Sequence, residues 1–261
     1  MSETPWRNYS TYWDHLPPPM RPTPSIIDVM TRNSTPGHVL LLGVTPEIHA
    51  AFDHITAIDR DSSMIANVWP GDTDTKRVQQ GSWAEMDWPE AMFDTVIGDC
   101  AITLLSDVTS IAEFQNSCYR WLKPGGSFVH RLMQRPEIAV TRHDIARELS
   151  SPARINFHAM RWRMGQCIAA DNDGVAPTMI VRELFESLVP DRDVLCDITG
   201  WKRIDVDSID LYKGNTNRVF FGSQQQWRDT IPADAVDIRW TQVFDHDLSE
   251  HFPVMRWRKP L

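Results

Sequence analysis

The sequence predicts an α/β domain built on a mostly parallel β-sheet. Short apolar runs alternate with segments of helical periodicity between residues 38 and 135, a spacing typical of parallel strands joined by helices. The first run, Val39 to Leu42, is continuously apolar and is followed by Gly43, which suits a strand buried on both faces. Ligands in such sheets bind beyond the carboxyl ends of the strands, where the strand order reverses.

Each element of the predicted sheet follows from its local pattern. Upstream of the first strand we expect a short aromatic helix, an extended segment at Pro17–Pro19, and a helix over 25–31 with Ser25 as N-cap. Further strands are predicted at 55–59, 76–80, 93–98 and 127–132. The intervening helices are predicted at 46–52, at 62–68 with Ser62 as a cap, and over a segment that places Ile111, Phe114, Cys118 and Trp121 on one face. Pro124-Gly125-Gly126 ends that last helix.

The rest of the chain is less regular. Residues 137–190 are predicted to be helical, and one segment places Phe157, Met160, Met164 and Cys167 on a core-facing side. A second side carries Arg154, His158 and Arg161, where we expect a solvated basic face rather than an anionic-substrate site. Short alternating segments follow at 209–212, 219–221, 236–244 and 252–257, and the last two are expected to pair antiparallel at one sheet edge.

Composition excludes several classes of protein. With 26 Lys and Arg against 35 Asp and Glu, the net charge is −9, which disfavours a generic binder of nucleic-acid phosphates. The four cysteines form no C-x-x-C pair, so we expect free thiols, and we predict no obligatory metal. No apolar run is long enough to span a membrane and the N-terminus has no apolar signal core, so a cytoplasmic location is expected.

Four strand ends carry residues suited to ligand binding. Gly43 lets a ligand approach the backbone, but the G-x-G-x-x-G pattern of dinucleotide sites is absent. Asp59 ends the second strand, where a carboxylate can accept both hydroxyls of a ribose. Gly81-Ser82-Trp83 follows the third strand and, with Met64, can contact an adenine edge and face. Gly98 and Asp99 end the fourth strand, beside the first.

This order of motifs resembles the class I S-adenosylmethionine-dependent methyltransferases. The resemblance covers residues 35–135, about half the chain, and its most specific part is the turn into the fifth strand. The matching segments are Leu40-Leu41-Leu42-Gly43, Ile55-Thr56-Ala57-Ile58-Asp59, Gly81-Ser82-Trp83, Phe93-Asp94-Thr95-Val96-Ile97-Gly98-Asp99 and Trp121-Leu122-Lys123-Pro124-Gly125-Gly126-Ser127-Phe128.

The resemblance implies a fold, a cofactor and an activity. The fold would be a Rossmann-like, doubly wound, mostly parallel seven-stranded sheet with helices on both faces and an antiparallel last strand. The cofactor would be S-adenosyl-L-methionine, with S-adenosyl-L-homocysteine as product. The acceptor would be an O, N or S atom of a small molecule of specialised metabolism. The implied cofactor-binding residues are Gly43, Val44, Thr45, Asp59, Arg60, Met64, Gly81, Ser82, Trp83, Gly98 and Asp99.

The resemblance also implies an N-terminal lid. Residues 1–34 would form this aromatic, proline-rich segment, and 35–261 the methyltransferase-like domain, with a helical substrate-pocket region around 135–220. The substrate-binding residues would be Tyr9, Tyr12, Trp13, Met20, Arg21 and Arg131, the arginines orienting a carboxylate or phosphate. A base is needed only if the acceptor arrives protonated, and the candidates are Asp99, His130 and His15.

Departures from the family pattern leave alternatives open. The usual G-x-G-x-G loop retains only Gly43, and Ser82 stands where an acidic residue often contacts adenine. The chain could therefore be a non-catalytic relative that binds a nucleoside or a partner protein. An RNA methyltransferase would be supported by a basic surface around Arg154, Arg161 and Arg163. A nicotinamide dehydrogenase is disfavoured by the missing glycines. The oligomeric state is not predicted.

Overall fold

The computed structural model describes residue 10 and residues 12–105 and 107–261. Its strands are β1 (Val39–Leu42), β2 (Ile55–Asp59), β3 (Lys76–Gln80), β4 (Phe93–Asp99), β5 (Leu122–Arg131), β6 (Val175–Pro177), β7 (Arg218–Phe220), β8 (Val236–Thr241) and β9 (Val254–Arg258). Its α-helices are α1 (Pro24–Asn33), α2 (Pro46–Ala51), α3 (Ser62–Val68), α4 (Val108–Trp121), α5 (Arg142–Leu149), α6 (Phe157–Ala170), α7 (Thr178–Leu188), α8 (Arg192–Thr199), α9 (Arg203–Asp207) and α10 (Gln224–Asp229).

The main sheet has seven strands in the order β3-β2-β1-β4-β5-β9-β8. Strands β1 to β5 pair in parallel, whereas β9 runs antiparallel to both of its neighbours. The predicted fold class is confirmed, including the antiparallel last strand and the pairing of the two C-terminal segments. The strand order reverses between β1 and β4, which places a ligand-binding crevice at their carboxyl ends.

Helices cover both faces of this sheet because successive side chains along a strand point to opposite faces, and both sets are apolar. Leu40 and Leu42 pack with α4 on one face, whereas Val39 and Leu41 pack with α1, α2 and α3 on the other. The predicted inner face of α4, from Ile111 to Trp121, is buried as expected. The core-facing side predicted around Phe157 is buried too, in a third cluster formed by α5 to α8.

Two helix starts differ from the prediction. Helix α1 begins at Pro24 and its N-cap is Thr23, whose hydroxyl accepts a hydrogen bond from the Ile26 amide, because proline suits the first helical position. Helix α3 is capped by Asp61, not Ser62, and the Asp61 carboxylate accepts the amides of the next helical turn.

Three local predictions downstream are wrong. The alternating segment at 209–212 belongs to a 3₁₀ helix, Ser208–Tyr212, and the helical prediction for 137–190 is interrupted by β6, which pairs with β7. The solvated basic face is also absent. His158 and Arg161 are 4% and 1% exposed, because α6 is buried on nearly every side.

Helix α4 ends at Trp121 with Leu122 as C-cap, and the predicted stop at Pro124-Gly125-Gly126 lies three residues further on, within β5. Leu122 pairs with Phe93, and the next pair along is Ser127 with Thr95, so the turn bulges from the ladder. Gly126 is required there, since a Cβ atom would lie 2.8 Å from the Lys123 carbonyl oxygen. In the part of the chain described, no helix is long and apolar enough to cross a membrane.

Candidate functional site

A cleft lies at the carboxyl ends of β1, β2 and β4, where the strand order predicts a ligand site. Its cavity volume is about 210 Å³, and it opens to solvent. The sheet-side wall is formed by Leu42, Gly43, Val44, Thr45, Asp59, Arg60, Met64, Gly81, Ser82, Trp83, Asp99, Cys100, Ala101, Thr103, Leu104 and Leu105. The covering wall is formed by Trp13, Leu16, Met20, Met133, Trp162, Thr178, Tyr212, Asn215, Asn217 and Val219.

Gly43 makes the tight turn that opens the cleft. Its φ is +87°, and its amide donates to the Ile58 carbonyl at 2.8 Å, which holds the ends of β1 and β2 together. A Cβ atom at this position would lie 3.8 Å from the Asp59 carboxylate and 4.0 Å from the Trp83 ring. Glycine therefore keeps open the space between the Asp59 carboxylate and the indole of Trp83.

Asp59 supplies a carboxylate that accepts few hydrogen bonds from the protein. One oxygen accepts the Asp61 amide at 2.9 Å. Burial raises the pKa of Asp59 to about 6, and hydrogen bonds from the backbone of Asp61 and Arg60 oppose that shift. A desolvated carboxylate of this kind gains from a ligand that brings two hydroxyl donors, as a ribose does.

Replacing Asp59 with asparagine should stabilise the ligand-free protein at pH 8. The raised pKa means that the folded state holds more protons than the unfolded state between about pH 4 and pH 6, so stability falls as pH rises through this window. The neutral amide removes that cost, and we expect a gain of about 1–3 kcal/mol at pH 8 that shrinks at pH 5. Urea denaturation at both pH values measures it, and a gain independent of pH would contradict this origin.

The third strand end forms one side of the same space. The Trp83 indole donates to the Ile58 carbonyl at 2.8 Å, which fixes the plane of its ring, and the Gly81 amide donates to the Asp59 carbonyl at 2.9 Å. Met64 at 5% exposure and Ser82 complete this part of the wall. A flat heterocycle can pack between a fixed indole and a thioether.

Asp99 and Arg131 form a closed ion pair instead of two ligand-binding groups. The Arg131 guanidinium donates to both Asp99 oxygens, one at 2.9 Å, and to the Pro19 carbonyl at 2.8 Å. Arg131 is 1% exposed and does not line the cleft, so its predicted contact with a substrate anion is wrong. Asp99 does reach the wall, but both oxygens of its carboxylate are occupied by Arg131.

His130, Gly98 and His15 lie outside the cleft lining. The His130 ring packs on Gly98, where a Cβ atom would come within 2.3 Å of its Nε2, and stacks on Phe128. Burial lowers the pKa of His130 to about 3, so the ring is neutral and enclosed in the core rather than placed as a base. His15 is exposed to solvent at the surface.

The N-terminal strap, residues 12–23, covers part of the cleft. Trp13 and Met20 line it as predicted, whereas Tyr12 does not, and Tyr9 lies outside the described residues. Arg21 also misses the cleft, because its guanidinium donates to the Glu47 carboxylate at 2.7 Å and to the Trp13 carbonyl at 3.1 Å. Its observed role is to hold the strap against α2.

Sequence reasoning missed most of the covering wall. Met133, Trp162, Thr178, Tyr212, Asn215, Asn217 and Val219 come from segments far apart in the chain, and no local motif marks them. Leu42 and Cys100 could have been predicted from their positions, since Leu42 directly precedes Gly43 and Cys100 directly follows Asp99. Within the described residues, no three His, Cys, Asp or Glu side chains are arranged to hold a metal ion.

A family model matches the part of the chain that forms most of the sheet-side wall. Residues 43–130, which contain the strand ends from Gly43 to Asp99, match a family model described as a methyltransferase domain. A search of curated proteins finds no match to the sequence.

Solved structures share the fold at low sequence identity. An S-adenosylmethionine-dependent methyltransferase from Methanosarcina mazei is 12% identical over 92% of this chain and 99% of its own, with a TM-score of 0.51. A protein from Listeria monocytogenes named for the same activity is 9% identical over 97% and 100%, with a TM-score of 0.56. A Rhodobacter sphaeroides protein named for a zinc-dependent alcohol dehydrogenase activity is 10% identical over the full length of both chains, with a TM-score of 0.62. At these identities the likeness shows the fold alone.

Proposed function

We propose that the chain, whose residues 43–130 match a family model described as a methyltransferase domain, is a class I S-adenosylmethionine-dependent methyltransferase that transfers a methyl group from that cofactor to a small molecule. The observation that carries the proposal is the convergence of Gly43, Asp59 and Trp83 on one space at the strand-order reversal. The acceptor atom would be O, N or S.

The residues of the cleft fit the cofactor of this superfamily. Asp59, whose carboxylate is short of donors, would hold the ribose hydroxyls. Trp83 and Met64 would pack on the adenine, and the backbone turn at Gly43 to Thr45 would approach the amino-acid portion. The bound cofactor supplies an activated methyl group on a sulfonium. The protein would contribute alignment of the acceptor and exclusion of water, since the leaving thioether needs no proton.

The alternative of an RNA methyltransferase loses its expected support. Arg161 is buried, and Arg163 makes two bonds of 2.8 Å to the Glu148 carboxylate, so neither presents a free charge to a nucleic-acid backbone. Of the three arginines that would have marked a basic surface, Arg154 alone is exposed. A small-molecule acceptor in a covered cleft fits these observations better.

Calorimetric titration of ligand-free protein tests the proposal. We expect S-adenosylmethionine and S-adenosylhomocysteine to bind with micromolar affinity (about 8 kcal/mol), and NAD to bind at least tenfold more weakly. Preference for NAD would favour a dehydrogenase. Binding of neither adenosyl ligand by folded protein would contradict a methyltransferase and favour a partner-binding relative.

A further inference from the structure

The side of the cleft where the methyl acceptor would bind is lined mainly by apolar and aromatic side chains. Beyond the space between Asp59 and Trp83, the polar lining side chains are mainly neutral amides and hydroxyls, such as those of Asn215 and Thr178. The apolar part comprises Trp13, Leu16, Met20, Leu104, Leu105, Met133, Trp162, Tyr212 and Val219. Such a wall favours a ligand that gains by removing apolar area from water.

The charged groups near this wall are already paired. Asp99 is bonded to Arg131, and Arg161 contacts His158 at 2.9 Å and the Tyr212 ring at 5.4 Å. Among the described lining residues, the remaining charges are Asp59 and Arg60, and the exposed Arg60 guanidinium donates to the Asn217 side-chain oxygen at 3.4 Å. A charged acceptor would lose its hydration here without meeting an opposite charge, which is unfavourable.

The described part of this wall also offers no proton acceptor for an incoming nucleophile. Both Asp99 oxygens accept from Arg131. Burial raises the pKa of the Cys100 thiol to about 12, so it stays protonated at neutral pH. His158 is not in the lining, and burial lowers its pKa to about 3. An acceptor that must first lose a proton, such as a phenol, would find no base.

We propose that the methyl acceptor is an uncharged, flat, largely apolar molecule that presents a neutral nitrogen with a free lone pair. This inference rests on the proposed function and names its substrate class. The nitrogen lone pair forms the new N–CH₃ bond as the S–CH₃ bond breaks, and the bonding electrons of that bond stay on sulfur. The positive charge thereby moves from the sulfonium to the nitrogen, and any N–H proton is lost to water afterwards.

The aromatic rings suit this movement of charge. Trp13, Trp162 and Tyr212 all belong to the covering wall. A ring face attracts a delocalised positive charge without demanding a counter-ion, and this attraction is stronger away from water. The same rings pack against a flat neutral acceptor before the reaction.

Three bicyclic probes of similar size test the proposal in protein saturated with S-adenosylhomocysteine. They are quinoline, with a neutral nitrogen; 1-naphthol, with a neutral hydroxyl; and 1-naphthoate, an anion. By calorimetry at pH 7.5, we expect quinoline and naphthol to bind at least tenfold more tightly than naphthoate (about 1.4 kcal/mol). With tritiated S-adenosylmethionine, we expect label to reach quinoline at least tenfold faster than naphthol.

A pair of tryptophan variants locates the binding. Trp13→Leu should weaken quinoline binding about fivefold or more while S-adenosylhomocysteine binding stays within twofold. Trp240→Leu is the matched control, because Trp240 lies on the edge strand β8 outside the cleft lining, and it should change neither affinity.

Several outcomes would overturn the inference. Naphthoate binding as tightly as quinoline, labelling of naphthol at an equal rate, or no probe binding to the saturated protein would each contradict this substrate class. The proposed function would survive those results, because binding of S-adenosylhomocysteine is measured first. If that ligand itself does not bind, both proposals fall together.

Discussion

Replacing Arg131 with methionine is expected to lower the free energy of unfolding by about 3–5 kcal/mol, since it leaves a buried carboxylate without its counter-ion. The two side chains are 1% and 5% exposed, so solvent cannot replace the lost bonds to Asp99. The substitution also removes the donor to the Pro19 carbonyl, one of the attachments of the strap. Urea denaturation of the ligand-free protein near pH 7.5 measures the change.

The matched control removes both charges. Arg131→Met combined with Asp99→Leu should recover most of the lost stability, because replacing a buried ion pair with apolar groups of similar volume is often neutral. If the single variant loses less than about 1 kcal/mol, the pair is accessible to water and the account of a closed ion pair is wrong.

Replacing Asp59 with alanine is expected to weaken S-adenosylhomocysteine binding at least tenfold (about 1.4 kcal/mol). The alanine removes the carboxylate that faces the cleft beside Gly43 and Trp83. Asp28→Ala is the control, because its carboxylate is 62% exposed on α1 and pairs there with Arg32. Surface pairs of that kind contribute little, so this variant should bind like wild type.

The pH dependence of binding gives a second test of the same carboxylate. Because the pKa of Asp59 is about 6 in the ligand-free protein, its ionised form, which accepts two hydroxyl donors, is lost as pH falls through 6. Affinity for S-adenosylhomocysteine should therefore rise between pH 5 and pH 7.5 in wild type and stay nearly flat in Asp59→Ala. Parallel profiles in the two proteins would show that another group controls binding.

The sheet-side half of the site could be predicted because parallel strands bring their carboxyl ends to one edge. Gly43, Asp59 and Trp83 each directly end or follow a strand that its own pattern indicates. Their meeting in one cleft then follows from strand order alone. The same reasoning yields the buried faces of α4 and α6, whose apolar periodicity decides which side packs inward.

The roles of the arginines could not be predicted, because they depend on partners distant in the chain. Arg131 is bound by Asp99 and by the Pro19 carbonyl, 112 residues away, and Arg21 by Glu47. Nothing in the local sequence distinguishes an arginine that anchors a strap from one that faces a substrate. The covering wall was missed for the same reason, since Trp162 and Tyr212 meet only through the packing of α6 to α9.

A crystal structure of the protein with S-adenosylhomocysteine tests the central claim most directly. The account predicts the ribose hydroxyls within hydrogen-bond distance of the Asp59 carboxylate, the adenine against Trp83 and Met64, and the sulfur facing the wall that contains Trp13 and Tyr212. A ligand bound elsewhere, or a cleft that remains empty at saturating ligand concentration, would contradict it.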